Sequence, residues 1–238
     1  ILSTFNNLVK TVTNSLNNFE LGIAVQNLYD FIWDVFCDWY IEIAKIRLNG
    51  DNEEGKKTAR AVLVYVMSNT LKLLHPFMPF ITEEIWQTLP HDGETIMKAP
   101  WPVFSDELVF TEDEEQMNII MDAIRAIRNR RGEMNVPPSR KAHVYVATEK
   151  KDIFETAVVF MQKLASASDV TVGDSFTLDG SVSIVTADAK IYIPMGDLVD
   201  CEAERKRLLK DREAAEKKLQ QINGKLSNPG FLAKAPQN

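Results

Sequence analysis

Cysteine and histidine are both scarce, with two cysteines and three histidines in 238 residues. Cys37 and Cys201 lie far apart and match no metal-ligand or redox spacing, which excludes a cysteine-built zinc module and a dithiol motif. Both are expected to pack as small apolar residues in a reducing cytosol, a cytoplasmic setting. The histidines show no ligand spacing, and the ten glycines form no phosphate-cradling loop. Neither a catalytic constellation nor a metal site is therefore expected. No apolar run is long enough to span a bilayer, and no charged-apolar-small leader opens the chain, so no membrane partner is expected. Positive charge is also short. Lys and Arg number 27 against 34 Asp and Glu, a formal net charge of −7. That balance argues against nucleic-acid binding by bulk charge and leaves it to local patches. The chain opens on Ile1 inside a helical pattern, which reads as a piece of a longer polypeptide.

Helical periodicity is abundant. Leu2, Phe5, Leu8, Val9 and Val12 mark a first helix, and Asn17 and Asn18 suit a turn. In a second helix Leu21, Val25, Leu28, Ile32, Val35, Trp39, Ile43 and Ile46 recur at steps of three and four. Tyr29, Phe31, Trp33 and Phe36 stand off that stripe; most are expected in the core, with one or two at a rim where a ring can stack on a base. A third helix leads through Leu71, Leu73 and Leu74 into the stretch LKLLHPFMPFITEEIWQTLP, residues 71–90. Pro76 and Pro79 stop it, Thr82 is positioned to cap the next, and Glu83 and Glu84 suit its first turn. An apolar stretch with two prolines predicts a buried corner. In the connector at 91–110, Trp101 is expected to pack onto the bundle.

From residue 111 the pattern changes. Thr111 and Glu114 have the spacing of a capping box, and Met117, Ile120, Ile124 and Ile127 form one helical face. Arg125, Arg128, Arg130, Arg131, Arg140 and Lys141 follow, with Asp122 and Glu133 as the local counter-charges; pairing of these arginines with the acidic run 112–115 and neighbouring elements is the preferred reading over RNA contact. A strand around Val144 and Val146, a helix through Ile153–Leu164 and short strands near 170–172, 182–186 and 190–194 predict helices on one face of a small sheet. From Asp197, the positions Leu198, Cys201, Arg205, Leu208, Arg212, Ala215, Leu219, Ile222 and Leu226 form a heptad seam that needs a partner helix. The fold class is thus mainly α: a helical bundle (1–104), a small α+β subdomain (105–196) and a C-terminal coiled-coil helix (197–238).

The proline corner and the stretch CDWYIEIAKIRL (37–48) resemble the anticodon-binding bundle of class I aminoacyl-tRNA synthetases for branched aliphatic amino acids. The run IIMDAIRAIRNRRGEMNVPPSRKA (119–142) and the tail, ending LSNPGFLAKAP (226–236), resemble the valyl members of that family, the tail being similar to their antiparallel tRNA-binding arm. The resemblance covers essentially the whole chain. It implies a parent valine–tRNA ligase that uses ATP, with its adenylation signatures HIGH and KMSKS and its editing domain upstream. This fragment would need no cofactor and would be inactive alone. Its partners would be the tRNA for valine and the upstream catalytic and editing domains, in a monomer.

What remains is recognition. Lys45, Arg47, Lys56, Lys57 and Arg60 surround one polar loop (49–55), opposed by Asp51, Glu53 and Glu54. Singly each reads equally as a solvated rim; together they are the candidate anticodon-binding group. Between Cys201 and Lys225 eight Lys and Arg face five Asp and Glu, and the resemblance assigns Lys206, Lys210 and Lys217 to the tRNA elbow. The rival reading is a non-catalytic protein-interaction module that dimerises through the heptad helix.

Overall fold

The computed structural model describes residues 1–198, 209, 212, 213, 215–220, 222 and 223. Helix α1 (Leu2–Asn17) ends at the expected asparagines, and Phe19 takes a left-handed φ of 60° to reverse the chain. The second helix is continuous but not uniform. It runs as α2 (Leu21–Asp30), a π-helical stretch (Phe31–Tyr40) and α3 (Ile41–Leu48), with helical dihedrals at both junctions. Its buried residues are Ala24, Leu28, Phe31, Phe36, Trp39 and Ala44. The steps of five, from Phe31 to Phe36 and from Trp39 to Ala44, follow the i→i+5 ladder of a π-helix. That ladder displaces the expected stripe: Leu21 and Val25 are exposed, while Ile32, Val35, Ile43 and Ile46 are half-buried.

Helix α4 (Glu53–Leu74) starts earlier than the sequence suggested. Asn52 caps it, accepting from the Gly55 amide at 3.0 Å, so the loop shrinks to residues 49–52. Helix α5 (Pro79–Gln87) also starts early, with Pro79 in its first turn, where the missing amide costs nothing. Thr82 is therefore not its cap. The residue is buried inside the helix, its hydroxyl donating to the Met78 carbonyl at 2.8 Å and lying 2.7 Å from His75 Nδ1. Nor is the corner buried: Pro76, Met78, Pro79, Phe80 and Ile81 are all exposed. Thr82 and Trp86 are the buried residues of α5, and Ile85 packs half-buried beside Trp86.

Glu83, now in the second turn, accepts from Gln87 Nε2 at 2.7 Å, Thr95 Oγ1 at 2.7 Å and the Ile96 amide at 3.2 Å. These bonds, the one from Gln87 foremost, hold its carboxyl below the usual carboxylate range. A depressed folded pKa contributes stability above the ordinary glutamate value, and this is lost as pH falls through the folded value. Glu83→Gln is expected to make the acid limb of thermal stability shallower, measured by melting midpoints between pH 3 and 6. An unchanged limb would place the pH sensitivity elsewhere.

The connector is tied to α1. Trp101 Nε1 donates to Thr13 Oγ1 at 2.9 Å, and Asn6 exchanges two hydrogen bonds with the Ser105 backbone, at 2.7 and 2.9 Å. Helix α6 (Thr111–Glu133) follows, capped at Phe110. Thr111 and Glu114 do not form the expected box, because the Glu114 carboxylate accepts instead from Ser3 and Thr4 of α1 at 2.8 and 3.1 Å.

Ile120, Ile124 and Ile127 of α6 enter the core of a mixed four-stranded sheet. Its strands are β1 (Ala142–Ala147), β2 (Ala167–Gly173), β3 (Ser181–Val185) and β4 (Lys190–Pro194), in spatial order β2-β1-β4-β3. β1 and β2 are parallel, joined through α7 (Lys151–Thr156) and α8 (Val158–Leu164), which break at Ala157 where one helix was expected. β3 and β4 form a hairpin, closed by the Thr186 amide on the Ala189 carbonyl at 2.9 Å. Val144, Val146, Ile191 and Ile193 bury the inner face against Phe154 and Met161. The short α9 (Met195–Leu198) puts Leu198 into this same core, so the first residue assigned to the heptad seam belongs to the sheet. Cys201, Arg205, Leu208 and Leu226 of that seam lie outside the described residues.

Candidate nucleic-acid interface

Helices α3 and α4 pack antiparallel across the 49–52 loop and bring the five candidate cations to one end of the bundle. They are not equivalent. Lys45 is exposed and paired with Glu42 at 2.5 Å; Lys56 is paired with Glu53 at 2.5 Å, its side chain only 19% exposed. Both pairs span one helical turn; the Lys45 pair is solvated and restrains its lysine weakly, whereas Lys56 is largely covered. Lys57 and Arg60 are exposed. Arg47 is exposed as well and lines a groove of about 650 Å³ whose walls include Tyr40, Ala59, Met117 and Asp113. None of the five is buried in an internal ion pair.

The arginines around α6 serve structure. Arg125 pairs with Asp122 and Arg130 with Glu133. Arg128 Nε donates to the Leu164 carbonyl at 2.6 Å. Arg131 is buried, donating to the carbonyls of Pro137 and Arg140, and burial lowers its pKa. Arg140 holds the carbonyls of Asp197 and Gly196 at 2.6 and 3.0 Å. Arg125 and Arg128 also lie over the Trp39 ring, at 5.0 and 5.3 Å from its centroid. The π-helical stretch and α6 are thereby clamped together.

Exposed rings are what the candidate set lacked. Phe31 and Phe36 are buried, but Tyr29 and Trp33 are 57% and 53% exposed, with centroids 6.2 Å apart on the outside of the long helix. The sequence signal for these two was their position off the apolar stripe. Phe19 and Phe80 are 89% and 90% exposed, and Met78 and Ile81 are also open. These lie in the α1–α2 turn and the α4–α5 corner. Because α4 runs back along the α2–α3 helix, both face away from the cationic loop. Nothing in the sequence separated Phe80 from the corner expected to be buried.

In the arm, Lys217 is helical and exposed, beside the Arg212–Glu216 pair at 3.4 Å; Lys206 and Lys210 lie outside the described residues. Among the described residues no cluster of His, Cys, Asp and Glu could hold a metal ion, and no helix is long and apolar enough to cross a membrane. The Cys37 thiol is pushed up by burial and by Asp38.

Residues 1–146 match the family model described as the anticodon-binding domain of tRNA ligase. The chain belongs to this family. Residues 200–238 further match the model of the valyl tRNA synthetase tRNA binding arm. Among curated relatives, the chain is 43% identical over 240 residues to the valine–tRNA ligase of Geobacillus stearothermophilus, covering 99% of this chain and 27% of that protein. The corresponding enzyme of Clostridium perfringens is 46% identical over 241 residues, with 100% and 27% covered, and that of Carboxydothermus hydrogenoformans 44% over 239 residues, with 99% and 27%. The chain thus spans about a quarter of the length of these relatives. Membership of the anticodon-binding family accounts for a mainly α chain in which a bundle, rather than the small sheet, occupies the first hundred residues.

Proposed function

We propose that this chain is the tRNA-recognition part of a valine–tRNA ligase, acting in valyl-tRNA formation for protein synthesis. The bundle takes the anticodon stem-loop, and the arm takes the elbow of the tRNA for valine. ATP-dependent activation and editing belong to the remaining length of such an enzyme, in the cytoplasm and as a monomer. The division at residues 104 and 196 follows these tasks. The carrying observation is that one rigid helix presents open rings at Tyr29 and Trp33 and, at its end, the cations Lys45 and Arg47, next to Lys57 and Arg60 of α4. Bases of a single-stranded loop splay out and stack on flat side chains, while cations neutralise the phosphates between them.

A salt titration tests this. With roughly three to five phosphate contacts, log affinity for the tRNA should fall against log salt with a slope of about −2 to −4. Lys217→Ala should weaken full-length tRNA and leave an isolated anticodon stem-loop unaffected. A flat salt response overturns the RNA reading, and a stem-loop weakened by Lys217→Ala overturns the division of labour. The dimerising-module reading would show instead as a tight dimer indifferent to tRNA in sedimentation.

A further inference from the structure

The sheet has a second face that the bundle-and-arm reading leaves unused. Side chains alternate along a strand, so the residues between the buried Val144, Val146, Ile191 and Ile193 face the other way. They are His143 and Tyr145 on β1 and Lys190 and Tyr192 on β4, joined by Thr171 and Gly173 on β2. His143, Tyr145 and Tyr192 are half-buried and Lys190 is exposed. Tyr145 and Tyr192 are direct cross-strand partners. His143 stacks on Tyr145, centroids 4.2 Å apart and planes 8° apart. Phe176 meets Tyr145 edge-on at 5.3 Å, lying so close over Gly173 that any Cβ there would come within 2.9 Å of the ring. The Lys190 ammonium sits 5.4 Å from the Tyr192 centroid.

Cross-strand aromatic pairing alone stabilises a sheet, but it requires neither the cation nor the histidine at the ends of the row. His143 Nε2 is already hydrogen-bonded to Thr171 Oγ1 at 2.7 Å, so the rings and the Lys190 ammonium are what the face offers: faces for bases and a cation for phosphate, as unpaired nucleotides use. His143 and Tyr145 lie within the residues that match the anticodon-binding family model, and the His143 amide donates to the Asp197 carboxylate at 3.1 Å. Charge here is modest. Lys150 and Lys151 are paired with Asp188 and Asp174 at 2.6 and 2.7 Å.

We propose that the open face of the sheet binds unpaired RNA nucleotides, with bases stacked on Tyr145 and Tyr192 and their backbone met by Lys190. The proposal rests on RNA being the partner of this chain. The stacking on the two tyrosines is nearly independent of salt, unlike the contribution of the rim cations.

The test uses the whole 238-residue chain and the tRNA for valine. Tyr145→Leu with Tyr192→Leu keeps apolar bulk and removes the rings; Tyr145→Phe with Tyr192→Phe keeps them. The leucine pair is expected to weaken tRNA about tenfold for each base it no longer stacks, with an unchanged salt slope, and the phenylalanine pair to bind as the parent does. Ultraviolet cross-linking of the unaltered chain to the same tRNA, read by mass spectrometry, is expected to label residues 143–147 and 190–192, and requires no variant to fold. Leucine variants that bind normally, cross-links confined to the bundle, or a dimer of the parent lost in the leucine variant would each overturn the proposal while leaving the anticodon reading intact. No tRNA binding by the unaltered chain would remove both.

Discussion

Trp39→Ala is expected to lower the melting midpoint by about 10 °C, from a loss of roughly 3–5 kcal/mol for a large core aromatic in a chain of this size. Trp39 is 6% exposed and belongs to the core of the sheet unit, although it sits on the bundle's own long helix. Its ring carries the guanidinium groups of both Arg125 and Arg128. Truncation leaves a cavity at the join and two cations without the ring between them. Trp39→Phe should recover most of the loss, since it restores an aromatic face and most of the volume. Calorimetry separates two outcomes. A single transition shifted downward means bundle and sheet unit unfold together, whereas splitting into two transitions means Trp39 was what coupled them. An unshifted midpoint would show that the clamp contributes nothing.

The position of Trp39 also shows how far the sequence could be read. That it would be buried followed from its place on an apolar stripe. What it would be buried against did not, because a three-and-four spacing assumes an α-helical period throughout. The π-helical ladder over Phe31–Tyr40 replaces that period with steps of five, and so exchanges Ile32 and Val35 for Phe31 and Phe36 as the core residues. The boundaries missed at Thr82 and Thr111 share a different cause. Each threonine is a good cap by type, but Pro79 and Phe110 begin their helices first. Thr82 then bonds back to the Met78 carbonyl four residues earlier, and Glu114 accepts from Ser3 and Thr4 of α1, a contact across a distance no local rule contains. The small sheet and the structural use of the α6 arginines were legible, because alternation acts locally, but the arginines' partners were not: Arg128, Arg131 and Arg140 bond to backbone carbonyls rather than to the acidic run 112–115. Of the candidate site, one or two open rings among Tyr29, Phe31, Trp33 and Phe36 were expected and Tyr29 and Trp33 are open, but Phe19 and Phe80 were not legible, since their exposure depends on which neighbours the fold brings.

The division between cations and rings gives the largest expected effect on binding. Combining Lys45→Ala, Arg47→Ala, Lys57→Ala and Arg60→Ala should weaken tRNA roughly a hundredfold at low salt and make the salt slope shallower by about 3, as four phosphate contacts are lost. Lys56 is left in place because its side chain is largely covered and held by Glu53. Truncating the open rings with Tyr29→Ala and Trp33→Ala, or with Phe19→Ala and Phe80→Ala, should act differently. About 1–3 kcal/mol is lost for each base no longer stacked, and the slope stays where it was. All of these side chains are exposed, so melting midpoints should move little. Fluorescence anisotropy with a labelled anticodon stem-loop at four salt concentrations reads both quantities at once. If the cation variant keeps the parent slope, the phosphates are not held at the α3–α4 loop. If only the Phe19 and Phe80 pair matters among the rings, the bases lie at the far end of the bundle, and the cations reach the stem rather than the loop.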